Sequence, residues 1–325
     1  MLIRPELQAL RSDDTPQRQA QADLQLLAAD WRASRLGTGL DQAMVAYARG
    51  ELLKHLPPFA RLFTPGDASA LRLSREFVDR FAAVLAAKPW GQVPLPCKLD
   101  DSTATIVLAA AGNAALVLQA IDGTGLKRRP AALTASFSPG ETHDHVLAGS
   151  AQARLIELVS EGAQGAELAE TQLDLGEGQV TQRDSSRQVL LIDAAPTTLV
   201  TLKLQRRPAL GSVTREFTLA DGTLAHQASA NARESRFELA AALLGRMGRS
   251  DAAPLLAAMA EEQGGTSQRW QSLKECLGLD TAAGFAALDR ISQRERDPLA
   301  APAQALRAQL LGTYPQLAGA SPCPA

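Results

Sequence analysis

FSPGETHDHVLAGSAQARLIEL, from Phe137 to Leu158, decides how the middle of the chain is read. Pro139-Gly140 is a turn signal, so THDH falls at a loop-to-strand junction. His145 to Ala148 and Ala151 to Val159 then read as two strands joined at Gly149-Ser150. The stretch holds two of the chain's four histidines. On a strand, residues two apart share a face, so Glu141, His143 and His145 point the same way. Both imidazoles can reach one ion if that face looks into a barrel, and a first-row metal suits such nitrogen and oxygen ligands.

The flanking sequence extends the pattern. In TATIVLAAAGNAALVLQAIDG two β-rich runs flank Gly112-Asn113, a dipeptide suited to a two-residue hairpin, and Asp122-Gly123 marks the next reversal. Short strand-like runs follow at Ala132–Phe137, Leu168–Leu175, Gln179–Arg183, Gln188–Ile192 and Leu199–Gln205. A last hairpin turns at Asp221-Gly222 and carries His226 on its outgoing arm. Many short strands separated by Gly, Pro, Asp and Ser, without helical crossovers, predict an antiparallel sandwich or barrel over residues 91–228. Lys127, Arg128 and Arg129 read as a solubilising loop before Pro130.

His143-Asp144-His145 followed by VLAGSA resembles the first signature of the cupin family, in which a strand bearing His-x-His leads into a VLxGxA hairpin. LDLGEGQV, with the later run LVTLKL, is similar to the second half of such a barrel. If Gly149 is the family's glycine, its glutamate falls on Thr142, beside Glu141, and its first two histidines fall near Ser136 and Ser138. Its third histidine falls near Ser185 to Gln188, where none is present. His143 and His145 are therefore displaced from the family's ligand positions. The resemblance implies a cupin-like β-barrel, and for its enzymes an oxygenase or sugar-modifying chemistry on a divalent metal (Fe, Mn, Ni or Zn).

Helical periodicity frames this β region. In residues 1–90 the apolar spacing predicts helices from Pro16 to Ser34, from Asp41 to Leu56, ended by Pro57 and Pro58, and from Ala70 to Lys88. In residues 229–325, Asn231 and Glu234 are spaced as a capping box ahead of RFELAAALLGRMG. Four shorter amphipathic segments follow, and their alternation with tight turns resembles HEAT-type helical hairpins. The fold class expected is α+β: a cupin-like antiparallel barrel or sandwich between N-terminal helices and C-terminal helical hairpins.

Composition narrows function by exclusion. With 33 basic and 35 acidic side chains the net charge is −2, and aromatics are 4%. Neither a field that attracts nucleic acid nor a base-stacking platform is expected. Cys97, Cys276 and Cys323 are odd in number and widely spaced, with no CxxC, so neither a disulfide framework nor a zinc ribbon is expected. No secretory signal or run of 18 apolar residues occurs, which predicts a cytoplasmic, bacterial-type protein. There is no P-loop, G-x-G-x-x-G or G-x-S-x-G. Arg206, Arg207, Arg215, Arg233 and Arg236 read as structural partners of Glu216, Glu234 and Glu238.

The function expected from the incomplete ligand set is a non-enzymatic binding or regulatory module for a small ligand or protein partner, without a cofactor and with homo-oligomerisation left open. Its candidate ligand-binding residues are Glu141, His143, His145 and His226. The alternative is a metal-dependent enzyme of the cupin type, with His143 and His145 as metal ligands and one of Glu141 or His226 completing the set.

Overall fold

The computed structural model describes residues 12–162, 165–207 and 212–319, and the side chains of 35–38 and 232 are outside the description. Cys323 also lies outside the described residues. Helix α1 (Thr15–Ala33) buries Ala20, Leu24, Ala28 and Trp31, one stripe at helical spacing, while Leu26 stays exposed. Helix α2 (Arg35–Ala48) begins ahead of Asp41 and runs through Gly37 and Gly39, which do not break it. It stops at Gly50, whose φ of +106° suits a residue without Cβ.

Pro57 and Pro58 open α3 (Pro57–Leu62) instead of closing its predecessor. At the first helical position a missing N–H costs nothing, since that group has no partner in any case. Leu53–His55 forms only a short 3-10 turn between them. Helix α4 (Ser69–Ala87) follows the predicted bounds closely and buries Leu73, Phe77 and Phe81.

The strands are β1 (Cys97–Leu99), β2 (Thr103–Ala111), β3 (Ala114–Ile121), β4 (Thr134–Phe137), β5 (Glu141–Ala148), β6 (Ala151–Gly162), β7 (Gly165–Leu175), β8 (Val180–Asp184), β9 (Gln188–Ala194), β10 (Leu199–Arg206), β11 (Val213–Thr218) and β12 (Leu224–Ser229). The first sheet has six strands in the order β1-β2-β3-β10-β5-β8, the second has the order β7-β6-β9, and a third has the order β12-β11-β4. Pairings with a defined register are antiparallel, and β2 and β3 meet at Gly112-Asn113 as expected. Only Gly112 of that pair has positive φ. The expected α+β class with antiparallel sheets is what the chain has.

Gly149 ends β5 at φ +80°, and a Cβ there would lie 2.4 Å from the carbonyl oxygen of Thr198. The glycine of VLAGSA is thus required by both conformation and contact. Asp122 caps a short helix α5 (Gly123–Arg128) by accepting from the Gly125 N–H, so the basic triplet begins on a helix and not in an open loop.

Contacts group the described chain into two units: residues 12–135, 140–162 and 167–207, and residues 136–139, 165–166 and 212–319. The expected boundary at residue 90 is not an edge of either. Leu24, Trp31, Tyr47, Phe59 and Phe77 of the helices share one core with Leu116, Leu202 and Leu204 of the six-stranded sheet. The sheet's other face shares a smaller core with the second sheet, including Ile121, Val146, Ala153, Leu175 and Leu199. The first unit is therefore three layers, helices on sheet on sheet.

In the second unit β11 and β12 pair around Asp221-Gly222, and Ser136–Pro139 belongs with them: Phe137 meets Phe217 edge-on at 6.0 Å. Helices α6 (Ala232–Arg246), α7 (Ala253–Glu261), α8 (Thr266–Leu279), α9 (Thr281–Ser292) and α10 (Ala300–Thr313) enclose a core of Leu256, Leu273, Cys276, Leu288 and Ile291. Asn231 caps α6 through the N–H groups of Arg233 and Glu234. The Glu234 carboxylate does not return to Asn231, as a capping box requires. It accepts from the Ser229 hydroxyl at 2.6 Å and the Gly265 N–H at 3.0 Å. Among the described residues no helix is long and apolar enough to cross a membrane.

Candidate functional site

Strand β5 is buried along nearly its whole length, so its two faces must be told apart by their contacts. Glu141, His143 and His145 do share a face, and that face is turned to the helices of the first unit. His145 Nδ1–H donates to the Leu62 carbonyl at 2.7 Å, and a carbonyl can only accept, which assigns the hydrogen to Nδ1. His143 Nε2–H donates to Glu141 Oε1 at 2.7 Å, with its ring 5.8 Å from that of Phe63.

Arg206, opposite Glu141 on β10, completes the arrangement. It donates to Glu141 Oε2 at 2.7 Å and to the carbonyls of Tyr47 and Glu51 at 2.8 and 3.0 Å. Its guanidinium sits 4.4 Å from the centre of the Tyr47 ring. Burial first, and then the Glu141 charge, push the Tyr47 hydroxyl pKa upward. These contacts fasten α2 and α3 to the sheet.

His226 is not a member of this set. It lies on β12 in the second unit, exposed and opposite Glu216. Among the described residues no group of three or more His, Cys, Asp or Glu side chains is arranged to hold a metal ion. The residues of the expected metal set therefore do not fit one: the β5 face that carries the imidazoles looks at helices, and each ring has a hydrogen-bond acceptor there.

The opposite face of β5 carries Thr142, Asp144 and Val146, and it opens on a cavity of about 430 Å³ between the two sheets of the first unit. Its apolar wall includes Ile121, Leu126, Val146, Leu175, Ile192 and Leu199. Its polar wall comes from three adjacent strands in register: Asp144 on β5, Thr181 and Arg183 on β8, and Thr201 and Lys203 on β10. Arg183 and Lys203 flank Asp144. The Arg183 Nη2–H donates to Asp144 Oδ2, and Lys203 Nζ is 3.5 Å from Oδ1.

Two features set this wall apart from an ordinary core. The hydroxyls of Thr181 and Thr201 and the Nε–H of Arg183 are buried without a hydrogen-bond partner among the described residues, and Thr201 is only 6% exposed. Such groups cost about 1–3 kcal/mol each when left unmade. In addition, Lys127 and Arg129 of the basic triplet line the cavity, so the triplet is more than a solubilising loop. Asp193, also a lining residue, is held by Arg154 through bonds of 2.8 and 2.9 Å, and those bonds raise the arginine pKa further.

Sequence reasoning singled out the helix-facing residues of β5 and passed over Asp144, Thr181, Arg183, Thr201 and Lys203. One signal was present: TLK at 201–203 interrupts an apolar strand with polar residues two apart, which places both on one face. The arginines expected to pair with Glu216, Glu234 and Glu238 do not form one set. Arg206 binds Glu141, while Glu234 and Glu238 accept hydrogen bonds around Ser229.

No protein-family model matches the sequence, and no curated protein matches it. Solved structures to which the chain is similar include Drosophila melanogaster CENP-C bound to CAL1, at 12% identity and TM-score 0.27 over 34% of this chain and 76% of that one. A cupin superfamily protein from Desulfitobacterium hafniense DCB-2 is similar at 14% identity and TM-score 0.23 over 34% and 83%. An oxalate decarboxylase from Lactobacillus farciminis is similar at 14% and TM-score 0.25 over 41% and 38%. Neighbours of this chain thus include enzymes and other proteins, and one of them bears the cupin name.

Proposed function

We propose that the first unit is a non-catalytic binding module of cupin-like arrangement that takes a small ligand into the cavity between its two sheets. The observation that carries this is a cavity of about 430 Å³ lined by Thr181, Arg183 and Thr201, whose buried Oγ1, Nε and Oγ1 atoms have no hydrogen-bond partner among the described residues. That volume lies within the usual range for ligand sites, as does the mixture of apolar walls with a few convergent polar groups. Folding alone is better served by apolar side chains at these positions, so polar ones there favour an occupant that supplies the missing bonds. In this reading His143, His145 and Glu141 are structural. They hold helices to the back of the sheet that forms the cavity wall.

The test is a thermal-shift screen of small polar metabolites against the full chain and against Val146→Phe, which puts a bulky ring into the cavity. Compounds that stabilise the native chain and leave Val146→Phe unmoved are expected. Compounds that stabilise both equally, or none that stabilises the native chain, refute the reading. Stoichiometric iron, manganese, nickel or zinc in the purified protein, lost in His143→Ala, would overturn this reading in favour of the metal-dependent alternative.

A further inference from the structure

We infer that the ligand of this cavity is a small organic anion, a carboxylate with a short apolar tail, and that Asp144 is an internal counter-ion that such a carboxylate displaces or joins. The inference rests on the binding reading above and goes further by assigning the chemical class.

The charges decide it. Lys127, Arg129, Arg183 and Lys203 line the cavity with Asp144 and Asp193 as the lining carboxylates. Asp193 is engaged on both oxygens by Arg154, which is not a lining residue. Asp144 is left as the near counter-charge to Arg183 and Lys203, and Lys127 and Arg129 stand exposed at the edge of the cavity. A buried cation in excess of its counter-ions favours an anion brought in from solution.

Geometry specifies the anion further. Arg183 spends an Nη on Asp144, and its buried Nε–H has no partner among the described residues, so the guanidinium has a donor left for a carboxylate once a side-chain shift uncovers it. Thr201 is the neighbour of Val146 across the β5–β10 ladder, and Thr181 faces Asp144 across β5–β8. Both threonines therefore belong to the same wall as Arg183, and their buried hydroxyls are donors for a second oxygen once a side-chain rotation turns them to the cavity. Leu126, Leu175 and Ile192 also line the cavity, on α5, β7 and β9, and their side chains offer nothing to hydrogen-bond. An anion wholly surrounded by oxygens, such as inorganic phosphate, would turn some of them toward that apolar wall, and an uncharged ligand would leave the cations uncompensated.

The experiment is isothermal titration of the full chain with straight and branched carboxylates from propanoate to octanoate, with the matching amides and inorganic phosphate as controls. Saturable binding of at least one carboxylate is expected, weaker by about tenfold or more for its amide, consistent with a charge-assisted bond. Thr201→Val should weaken binding several-fold while leaving thermal stability equal or higher, a combination that a purely structural threonine does not produce. Asp144→Asn, which removes the competing carboxylate, should tighten it. Amides or phosphate binding as tightly as carboxylates, or Asp144→Asn binding no better, overturns the anion assignment while the cavity reading stands. Absence of any carboxylate binding at about 10 mM overturns it too. If Val146→Phe leaves the binding of every probe unchanged, the cavity reading itself fails.

Discussion

Arg206 offers the sharpest test of whether the His143 face of β5 is structural. Replacing it with Gln removes the ion pair to Glu141 Oε2 at 2.7 Å, the cation over the Tyr47 ring at 4.4 Å, and at least one of the two bonds to the carbonyls of Tyr47 and Glu51. The Arg206 and Glu141 side chains are 18% and 25% exposed, so the charges are largely but not wholly out of water. A fully buried pair that loses one partner costs about 3–5 kcal/mol and an exposed one under about 1 kcal/mol. The intermediate exposure places Arg206→Gln at about 2–3 kcal/mol. Urea denaturation gives the size of the loss, and hydrogen exchange resolved by peptide should place it in β5, β10 and the turn around Glu51.

A double-mutant cycle with Glu141→Gln sharpens this. Because the two side chains touch, the pair should couple by about 0.5–3 kcal/mol. A loss below about 0.5 kcal/mol, or a cycle without coupling, would refute the view that this network fastens the helices to the sheet. It would return Glu141 and His143 to candidacy as ligand-binding groups.

Further outcomes follow from other residues. Gly149→Ala puts a Cβ at φ +80° and 2.4 Å from the Thr198 oxygen, so a loss above the about 1–2 kcal/mol of the backbone conformation alone is expected in urea denaturation. An unchanged midpoint would mean that the β5–β6 turn is not held as described. In the second unit, hydrogen bonds from Arg269 above all hold the Asp297 carboxyl below its usual range, against the opposing effect of burial. Its folded pKa is lower than its unfolded one, so its contribution is present above about pH 4 and is lost as pH falls through the folded value. Asp297→Asn should flatten the acid limb of a stability profile below about pH 4, and an unaltered limb counts against the pair. Cys276 is buried, its thiol pushed up to about 11 chiefly by burial, whereas Cys97 is exposed. Alkylation at neutral pH should mark Cys97 in the native chain and reach Cys276 only after unfolding, as peptide mapping can show.

Much of the architecture was legible in the order of residues, because it rests on local rules. The stripe of Leu24, Ala28 and Trp31, the reversal at Gly112-Asn113, the Asn231 cap and the strand ending at Gly149 each depend on neighbours within a few positions. The alternation of β5 likewise puts Glu141, His143 and His145 on one face whatever surrounds them. What the sequence by itself could not decide is which face of β5 looks at the cavity. A strand exposed on one side announces its inner face by apolar residues, but β5 is covered on both sides and has polar residues on each, so its pattern is silent. Only the packing of α2 and α3 against one side and of β6, β7 and β9 on the other distinguishes His143 from Asp144. Residues far apart in the chain, Arg183 and Lys203, meet Asp144 through register alone, and a cavity exists only where two sheets fail to fill the space between them.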